Sequence, residues 1–356
     1  MLNVGIVGLG DGGLSNLRSL QSLGQKQARI AALCDLEDNA RKNAIKELGE
    51  KVAECADVKE LLKHPIELVI IATPDVEHLK PAKIALESGK FVFVEKPLAT
   101  SLDDLFQFAE LAIAYPGKLL FSEKYSFANP VLATYEQRGR LGKLVTGSTW
   151  YTMWRCDRIM GGGKWRTEHA YNPCAGGLSH NFMTLLLFND SPITRVRAAG
   201  QVLTYHENLD NYGGYDTMEG GLEFADGTYV QWHICLAVQN DVSPFQHRTV
   251  SQSLQFKNGA LLYSPDPLED RLFVNGEREQ ITPEPSVAEW GDYNKLLYKR
   301  MHLIDLINPV CNSDKAVRRH TVYHGMNVAA ACTLAFQSAK VNGAWLEIPR
   351  ELQTYS

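Results

Sequence analysis

The sequence predicts an α/β protein of two domains, the first built on a parallel sheet with helices on both faces. Three observations carry the prediction. The chain has 356 residues, and at roughly 150 residues per domain that length favours two domains over one. In its first third, short continuous apolar runs alternate with amphipathic helical stretches, the pattern of strands buried on both faces. Further along, Asp-Gly and Asn-Gly pairs separate strand-like segments, the strongest short-range signal for hairpins.

The elements follow in order. Asn3 to Gly8 is apolar, β-prone and closed by glycine. Leu14, Leu17, Leu20 and Leu23 form one face of a helix that Gly24 would stop. A second apolar run, Ile30 to Cys34, ends at Asp35, and Asp38 to Leu48 reads as a helix closed by Gly49. Leu68 to Ala72 and Phe91 to Val94 are the third and fourth runs. Pro81 argues against one helix from Asp75 to Ser88 and is tolerated where the helix proper starts near it. Leu102 to Ala114 is a long helix ending before Tyr115-Pro116-Gly117, and Leu119 to Phe121 is the fifth run. Later, hairpins are expected at Phe224 to Thr228, Lys257 to Ala260 and Val274 to Glu277. Thr228, Val230, Trp232, Ile234 and Leu236 alternate with polar or small neighbours, so one sheet face is buried there.

Composition excludes several classes. The chain is 45% hydrophobic and 22% charged, ordinary globular usage, which rules out disorder and collagen-like repeats. A net charge of −5 gives no bulk signal for nucleic acid or an anionic membrane, although a local basic patch stays open. No apolar run reaches the length of a membrane span, and the start, Met1 to Ile6, lacks the features of a secretory signal. The seven cysteines are scattered without a CxxC pair, which fits reduced thiols and the cytoplasm. No metal is expected: His320 and His324 at i, i+4 give only a weak hint, and no other histidine has ligand spacing.

Gly8-x-Gly10-x-x-Gly13 stands between the first strand and the first helix. There Gly8 allows a tight turn, Gly10 lets a pyrophosphate approach the backbone, and Gly13 lets helix and strand pack closely. The helix N-terminus offers free N–H groups to phosphate. Asp35 ends the second strand at the distance expected of the acid that binds the ribose hydroxyls. A carboxylate there repels a 2′-phosphate, and Leu36 and Glu37 supply no arginine to hold one, so NAD is expected over NADP.

Two further strings complete a recognisable set. They are Ala72-Thr73-Pro74-Asp75-Val76-Glu77-His78, and Ala85 to Ala99 with its Glu95-Lys96-Pro97-Leu98-Ala99 end. With the glycine turn they closely resemble the Gfo/Idh/MocA oxidoreductases, the family of glucose–fructose oxidoreductase and inositol dehydrogenase. The resemblance is specific in residues 1–100 and weaker through Gly139 to Lys143 and Ala329 to Pro349. It implies a doubly wound Rossmann domain and an α+β domain with a large open, mainly antiparallel sheet whose face often makes dimers or tetramers. With the boundary near Ser122, residues 1–122 form the NAD-binding domain, and residues 123–356 serve substrate binding and oligomerisation.

The resemblance also assigns roles. Gly8, Gly10, Asp11, Gly12, Gly13, Asp35, Ala72, Thr73, Pro74, His78, Glu95, Lys96 and Pro97 would hold the cofactor. Lys96 would bond the reacting hydroxyl and favour the developing alkoxide, and Pro97 would follow a cis peptide as in the family. His180, placed by counting back from Asp190-Ser191-Pro192-Ile193, is the candidate general base. Here the sequence departs from the family, because Gly176 and Met183 occupy the flanking positions where acids are usual. Glu168, Asp157 and Glu123 are alternative partners, and a structural histidine on a buried helix face is the competing reading. A second departure is Phe127, where the family commonly has arginine before Pro130. Glu123 and Tyr125 could then face substrate or belong to a packed linker. In the Gly-rich stretch from Tyr151 to Gly177, Trp165 and Arg166 suit a substrate lid, against a core role for the tryptophans.

The leading expectation is therefore an NAD-dependent dehydrogenase acting on a secondary alcohol of a sugar, sugar derivative or cyclitol, working as a homodimer or homotetramer. A redox-assisted lyase or glycoside-cleaving enzyme is the first alternative. A non-catalytic nicotinamide-binding sensor, suggested by the missing acids beside His180, is the second.

Overall fold

The computed structural model describes residues 1–23, 27–121, 123, 129–152, 172, 174–204, 213–236, 250–264, 269–281, 307, 310 and 320–353. The chain divides into two compact units, Met1–Lys124 with Trp290–Met326, and Tyr125–Glu289 with Asn327–Ser356.

The first unit is a doubly wound sheet. Its strands are β1 (Leu2–Val7), β2 (Ala28–Cys34), β3 (Ala53–Cys55), β4 (Leu68–Ile71), β5 (Phe91–Val94) and β6 (Leu119–Leu120), in the order β3-β2-β1-β4-β5-β6. Every neighbouring pair is parallel. Between them run α1 (Asp11–Leu23), α2 (Asp38–Leu48), α3 (Val58–Leu61), α4 (Leu79–Glu87) and α5 (Leu102–Ala114). The apolar runs became central strands because both of their faces are covered: Leu68, Val69, Ile70 and Ile71 are all buried. Ile70 and Phe93 are fully enclosed, and burying each side chain contributes about 1.5–3 kcal/mol. Helix starts are capped as the sequence allows, Ser101 accepting from the Asp104 N–H at 3.1 Å and Asp57 from the Glu60 N–H at 2.9 Å. Pro81 falls in the first turn of α4, after a separate 3₁₀ turn over Asp75–Glu77. Ile307, far along the chain, packs into this same core. The strand order reverses between β1 and β4, so a crevice opens beyond their C-terminal ends.

The second unit carries a nine-stranded sheet. Its strands are β7 (Leu144–Thr152), β8 (Ile193–Gln201), β9 (Thr217–Phe224), β10 (Tyr229–Cys235), β11 (Val250–Phe256), β12 (Gly259–Tyr263), β13 (Arg271–Val274), β14 (Glu277–Glu279) and β15 (Leu346–Glu347). The order is β14-β13-β12-β11-β7-β10-β9-β8-β15. Only β7 and β10 pair in parallel; the other pairs are antiparallel. The three Asp-Gly and Asn-Gly sites join β9 to β10, β11 to β12 and β13 to β14 as hairpins. Thr228, Val230, Trp232, Ile234 and Leu236 are each at most 2% exposed. Helices α6 (Asn129–Glu136), α7 (Arg138–Leu141), α8 (Ser179–Phe188) and α9 (Val322–Lys340) accompany the sheet. Its open face carries Trp150, Leu262 and Phe273, all exposed.

Candidate functional site

The glycine turn follows β1 and opens α1. Gly8 has φ +89°, and a Cβ there would stand 2.5 Å from the Ala72 carbonyl oxygen, so only glycine fits between the ends of β1 and β4. A Cβ on Gly13 would lie 1.9 Å from the Gly8 carbonyl oxygen, which fixes how closely α1 meets the turn. Gly10 is exposed, with open space where a Cβ would project. Asp11 and Gly12 are exposed in the same first turn. Close packing at Gly8 and Gly13 with an open backbone at Gly10 is the cradle a pyrophosphate needs, and the residues fit a dinucleotide.

Asp35 stands at the end of β2 and ties the turn down. Its Oδ2 accepts from the Leu9 N–H at 2.7 Å and its Oδ1 from the Glu37 N–H at 2.9 Å. A carboxylate has about four acceptor sites, so capacity is left for ribose hydroxyls. Arg41, six residues on, was not singled out from the sequence. Its Nη1 donates to the Asp35 and Leu36 carbonyls at 2.6 and 3.2 Å, and its Nη2 to Asp38 Oδ1 at 2.9 Å. The nearest guanidinium is thus engaged in holding the strand–helix turn, which fits a cofactor without a 2′-phosphate. The i, i+3 spacing of Asp38 and Arg41 was the available signal.

Beside Asp35, Cys34 and Cys55 are register partners on β2 and β3. Burial pushes the Cys34 thiol up to about 12 and the Cys55 thiol up to about 11, so both are unreactive thiols.

The other two sequence strings meet each other. Ala72, Thr73 and Pro74 follow β4, and Thr73 Oγ1 is buried with no hydrogen-bond partner. His78, 1% exposed, sends Nε2 to within 3.0 Å of the Thr73 carbonyl oxygen. Its Nδ1 lies 3.0 Å from the Pro97 carbonyl oxygen and 3.3 Å from that of Leu98. The Lys96–Pro97 peptide is cis. Glu95 Oε1 accepts from Asn16 Nδ2 at 2.7 Å, and Glu95 Oε2 accepts from the Lys96 N–H at 3.3 Å. Lys96 itself is half-buried just past β5. Asn16 was missed from sequence. A polar residue on the buried stripe of Gly13, Leu17 and Leu20 was the signal that could have found it.

His180 lies in the second unit, on α8 after a π-helical turn over Cys174–Leu178. All ten residues of α8 are buried, and the His180 ring stacks on Tyr151 with centroids 6.4 Å apart. Gly176 lies in the preceding turn and Met183 is buried, so neither supplies an acid. A buried polar set holds the helix to the sheet. Asn181 Nδ2 donates to Thr149 Oγ1 and, at 3.0 Å, to the Trp150 carbonyl, while Gln252 Nε2 donates to Thr184 Oγ1 at 2.6 Å. Glu123 is buried in the first unit. Tyr125, Asp157, Trp165, Arg166 and Glu168 lie outside the described residues.

The structure therefore gathers Gly8 to Gly13, Asp35, Ala72 to Pro74, His78 and Glu95 to Pro97 at one edge of the first sheet. A doubly wound sheet with this turn at its switch point defines a dinucleotide-binding domain. Residues 2–121 match the model of the Gfo/Idh/MocA family, an oxidoreductase family with an NAD-binding Rossmann fold. NAD is the nucleotide of that fold.

Among curated relatives, a 1-carboxy-3-chloro-3,4-dihydroxycyclo hexa-1,5-diene dehydrogenase of Comamonas testosteroni is 30% identical over 146 residues, 40% of this chain and 36% of that protein. An alpha-N-acetylgalactosaminidase of Shewanella oneidensis is 28% identical over 182 residues, 47% of this chain and 39% of that protein. The matched regions thus cover well under half of either relative. Across 98% of this chain and 99% of the other, the fold matches that of scyllo-inositol dehydrogenase from Lactobacillus casei, solved with NAD(H) and scyllo-inositol, at a TM-score of 0.76 and 20% identity.

Proposed function

We propose that the protein is an NAD-dependent dehydrogenase that moves a hydride between nicotinamide and a secondary alcohol of a sugar, sugar derivative or cyclitol. The observation that carries this reading is Lys96, held between Glu95 and the cis Pro97 at the C-terminal edge that also bears the glycine turn. An ammonium there bonds the substrate hydroxyl and favours its alkoxide as the hydride leaves. His180 is the group assigned to take the hydroxyl proton, with Tyr151 stacked on its ring. The cofactor, when bound, supplies the hydride acceptor. Residues 1–122 serve the nucleotide and residues 123–356 the substrate. The open sheet face with Trp150, Leu262 and Phe273 would join copies into a homodimer or homotetramer. Burial of the Cys34, Cys55, Cys174 and Cys332 thiols fits the reducing cytoplasm.

The test is a panel of polyols and sugar derivatives with NAD, read as NADH absorbance. Turnover with at least one of them is expected, and Lys96→Ala should abolish it while NADH still binds. Full activity in Lys96→Ala would remove the lysine from the mechanism. The likeness to a glycoside-cleaving relative favours a second reading, in which the cofactor is reduced and reoxidised within one cycle. Release of sugar from an aryl glycoside with no net NADH, by protein purified with nucleotide already bound, would select it.

A further inference from the structure

The segment that presents Lys96 is gripped from two sides, and both grips originate in turns of the nucleotide cradle. From α1, Asn16 Nδ2 reaches the Gly12 carbonyl at 3.1 Å and Glu95 Oε1 at 2.7 Å, so one buried amide joins the glycine turn to the residue before Lys96. Glu95 Oε2 then takes the Lys96 N–H, which orients the peptide that carries the side chain. From the other side, His78 bridges the Thr73 carbonyl to those of Pro97 and Leu98. Asn16 is 5% exposed and His78 1%, so these contacts face little competition from water. Both ring nitrogens face carbonyl oxygens, and a ring N–H on either side donates to the carbonyl it faces.

We propose that Asn16 and His78 are positioning residues that set the Glu95–Leu98 segment against the two nucleotide turns, so that NAD binding and the place of the Lys96 ammonium are coupled. The inference deepens the dehydrogenase reading and rests on it for the meaning of that place. Its chemistry is specific. Glu95 follows β5, and its carboxylate accepts from a charge-neutral amide whose other acceptor is the glycine turn itself. Movement of the turn is therefore transmitted to the peptide N–H of Lys96 through one side chain and one carboxylate. Asn16 thereby ties the glycine turn, four residues before it, to a carboxylate 79 residues after it.

The experiment reads the nucleotide and the lysine without turnover. NADH binding is followed by quenching of protein fluorescence. Acetylation of Lys96 by acetic anhydride is followed by peptide mass spectrometry, with and without NADH. Asn16→Asp sets a second carboxylate against Glu95. It should weaken NADH binding about tenfold, the factor that corresponds to about 1.4 kcal/mol, and reduce the protection of Lys96 by NADH. Combining Asn16→Asp with Glu95→Gln relieves the repulsion between the two carboxylates but leaves the Gly12 carbonyl without its donor, so it should bind NADH better than Asn16→Asp alone while protection of Lys96 stays reduced. His78→Leu should shift both in the same direction as Asn16→Asp. If Asn16→Asp does not fold, Asn16→Ala carries the same expectation without the added charge. Unchanged NADH affinity and Lys96 protection in the single variants would overturn the proposal, as would full recovery of Lys96 protection in the exchanged pair, which lacks the bond to Gly12. A polyol panel without turnover, alongside single variants that lose NADH affinity and Lys96 protection, would fault the proposed activity and not the positioning.

Discussion

His324 makes acid stability a measurable consequence of the fold. The residue is half-buried near the start of α9, and burial pushes its imidazole from 6.5 down to about 4. Its Nδ1 accepts the N–H of Thr321, the residue before the helix, at 3.0 Å, and lies 2.8 Å from the Thr321 hydroxyl. A side chain three residues in that accepts the N–H ahead of the helix is half of a capping box, and protonating Nδ1 would end it. The sign follows from the depressed value. The unfolded chain takes up this proton first, so the stabilisation is complete above about pH 6.5, declines as pH falls, and is gone by about pH 4. One pKa unit corresponds to about 1.4 kcal/mol, so the span from 6.5 to about 4 is about 3 kcal/mol. The comparison is with His324→Gln, which keeps an acceptor at the capping position and does not titrate. Urea unfolding of both proteins from about pH 7.5 to about pH 4 should show their stability difference moving by about 3 kcal/mol toward the variant. Parallel stability curves, or a His324 ring resonance that titrates near its ordinary value, would refute the reasoning.

Three other outcomes are expected. Gly13→Ala, whose Cβ would stand 1.9 Å from the Gly8 carbonyl oxygen, should force α1 outward. Thermal unfolding should register a cost of about 1–3 kcal/mol, with NADH affinity falling in parallel; a variant that binds normally would mean the turn is not the phosphate cradle. Asp35→Ser removes the carboxylate that repels a 2′-phosphate and the acceptor of the Leu9 N–H. The preference for NADH over NADPH, read by competitive fluorescence titration, should drop about tenfold, one factor of about 1.4 kcal/mol. Finally, native protein treated with iodoacetamide at mildly alkaline pH should leave Cys34 and Cys55 unmodified until denaturant is added, because burial keeps both thiols protonated. Rapid labelling of Cys34 would show that β2 opens beside Asp35.

What the sequence made legible was whatever leaves a local trace. The apolar runs of β1, β2, β4 and β5, the glycine spacing and the Asp-Gly and Asn-Gly turns are periodic or contiguous, and each became the element it suggested. The alternation from Thr228 to Leu236 named the buried face of β10 residue by residue. β3 escaped notice because three residues over Ala53–Cys55 are too few to display a pattern. β7 escaped for a different reason. Its Val145, Thr146, Gly147 and Ser148 are partly or largely exposed, and it is a strand because β10 and β11 flank it from far along the chain. Ile307 entered the first core by the same long-range route.

The candidate site divides along the same line, and the division is itself informative. Residues that would touch the nucleotide were readable, because their chemistry needs particular types at particular spacings: glycine for close approach, a carboxylate at a strand end, a lysine before proline. Asn16 and the Thr149–Asn181–Gln252 set were not, because they act on other parts of the chain, and hydrogen bonds between distant residues impose no period. Yet Asn16 and Asn181 stand out once burial is considered, since a polar side chain on a buried helix stripe costs free energy unless something pairs with it. On α1 that something is Glu95, and on α8 it is the polar set reached through Asn181, the neighbour of His180. Buried polar residues next to motif residues thus mark, in both units, where the fold supports its proposed chemistry. They are the positions at which a substitution should alter Lys96 or His180 without touching either one.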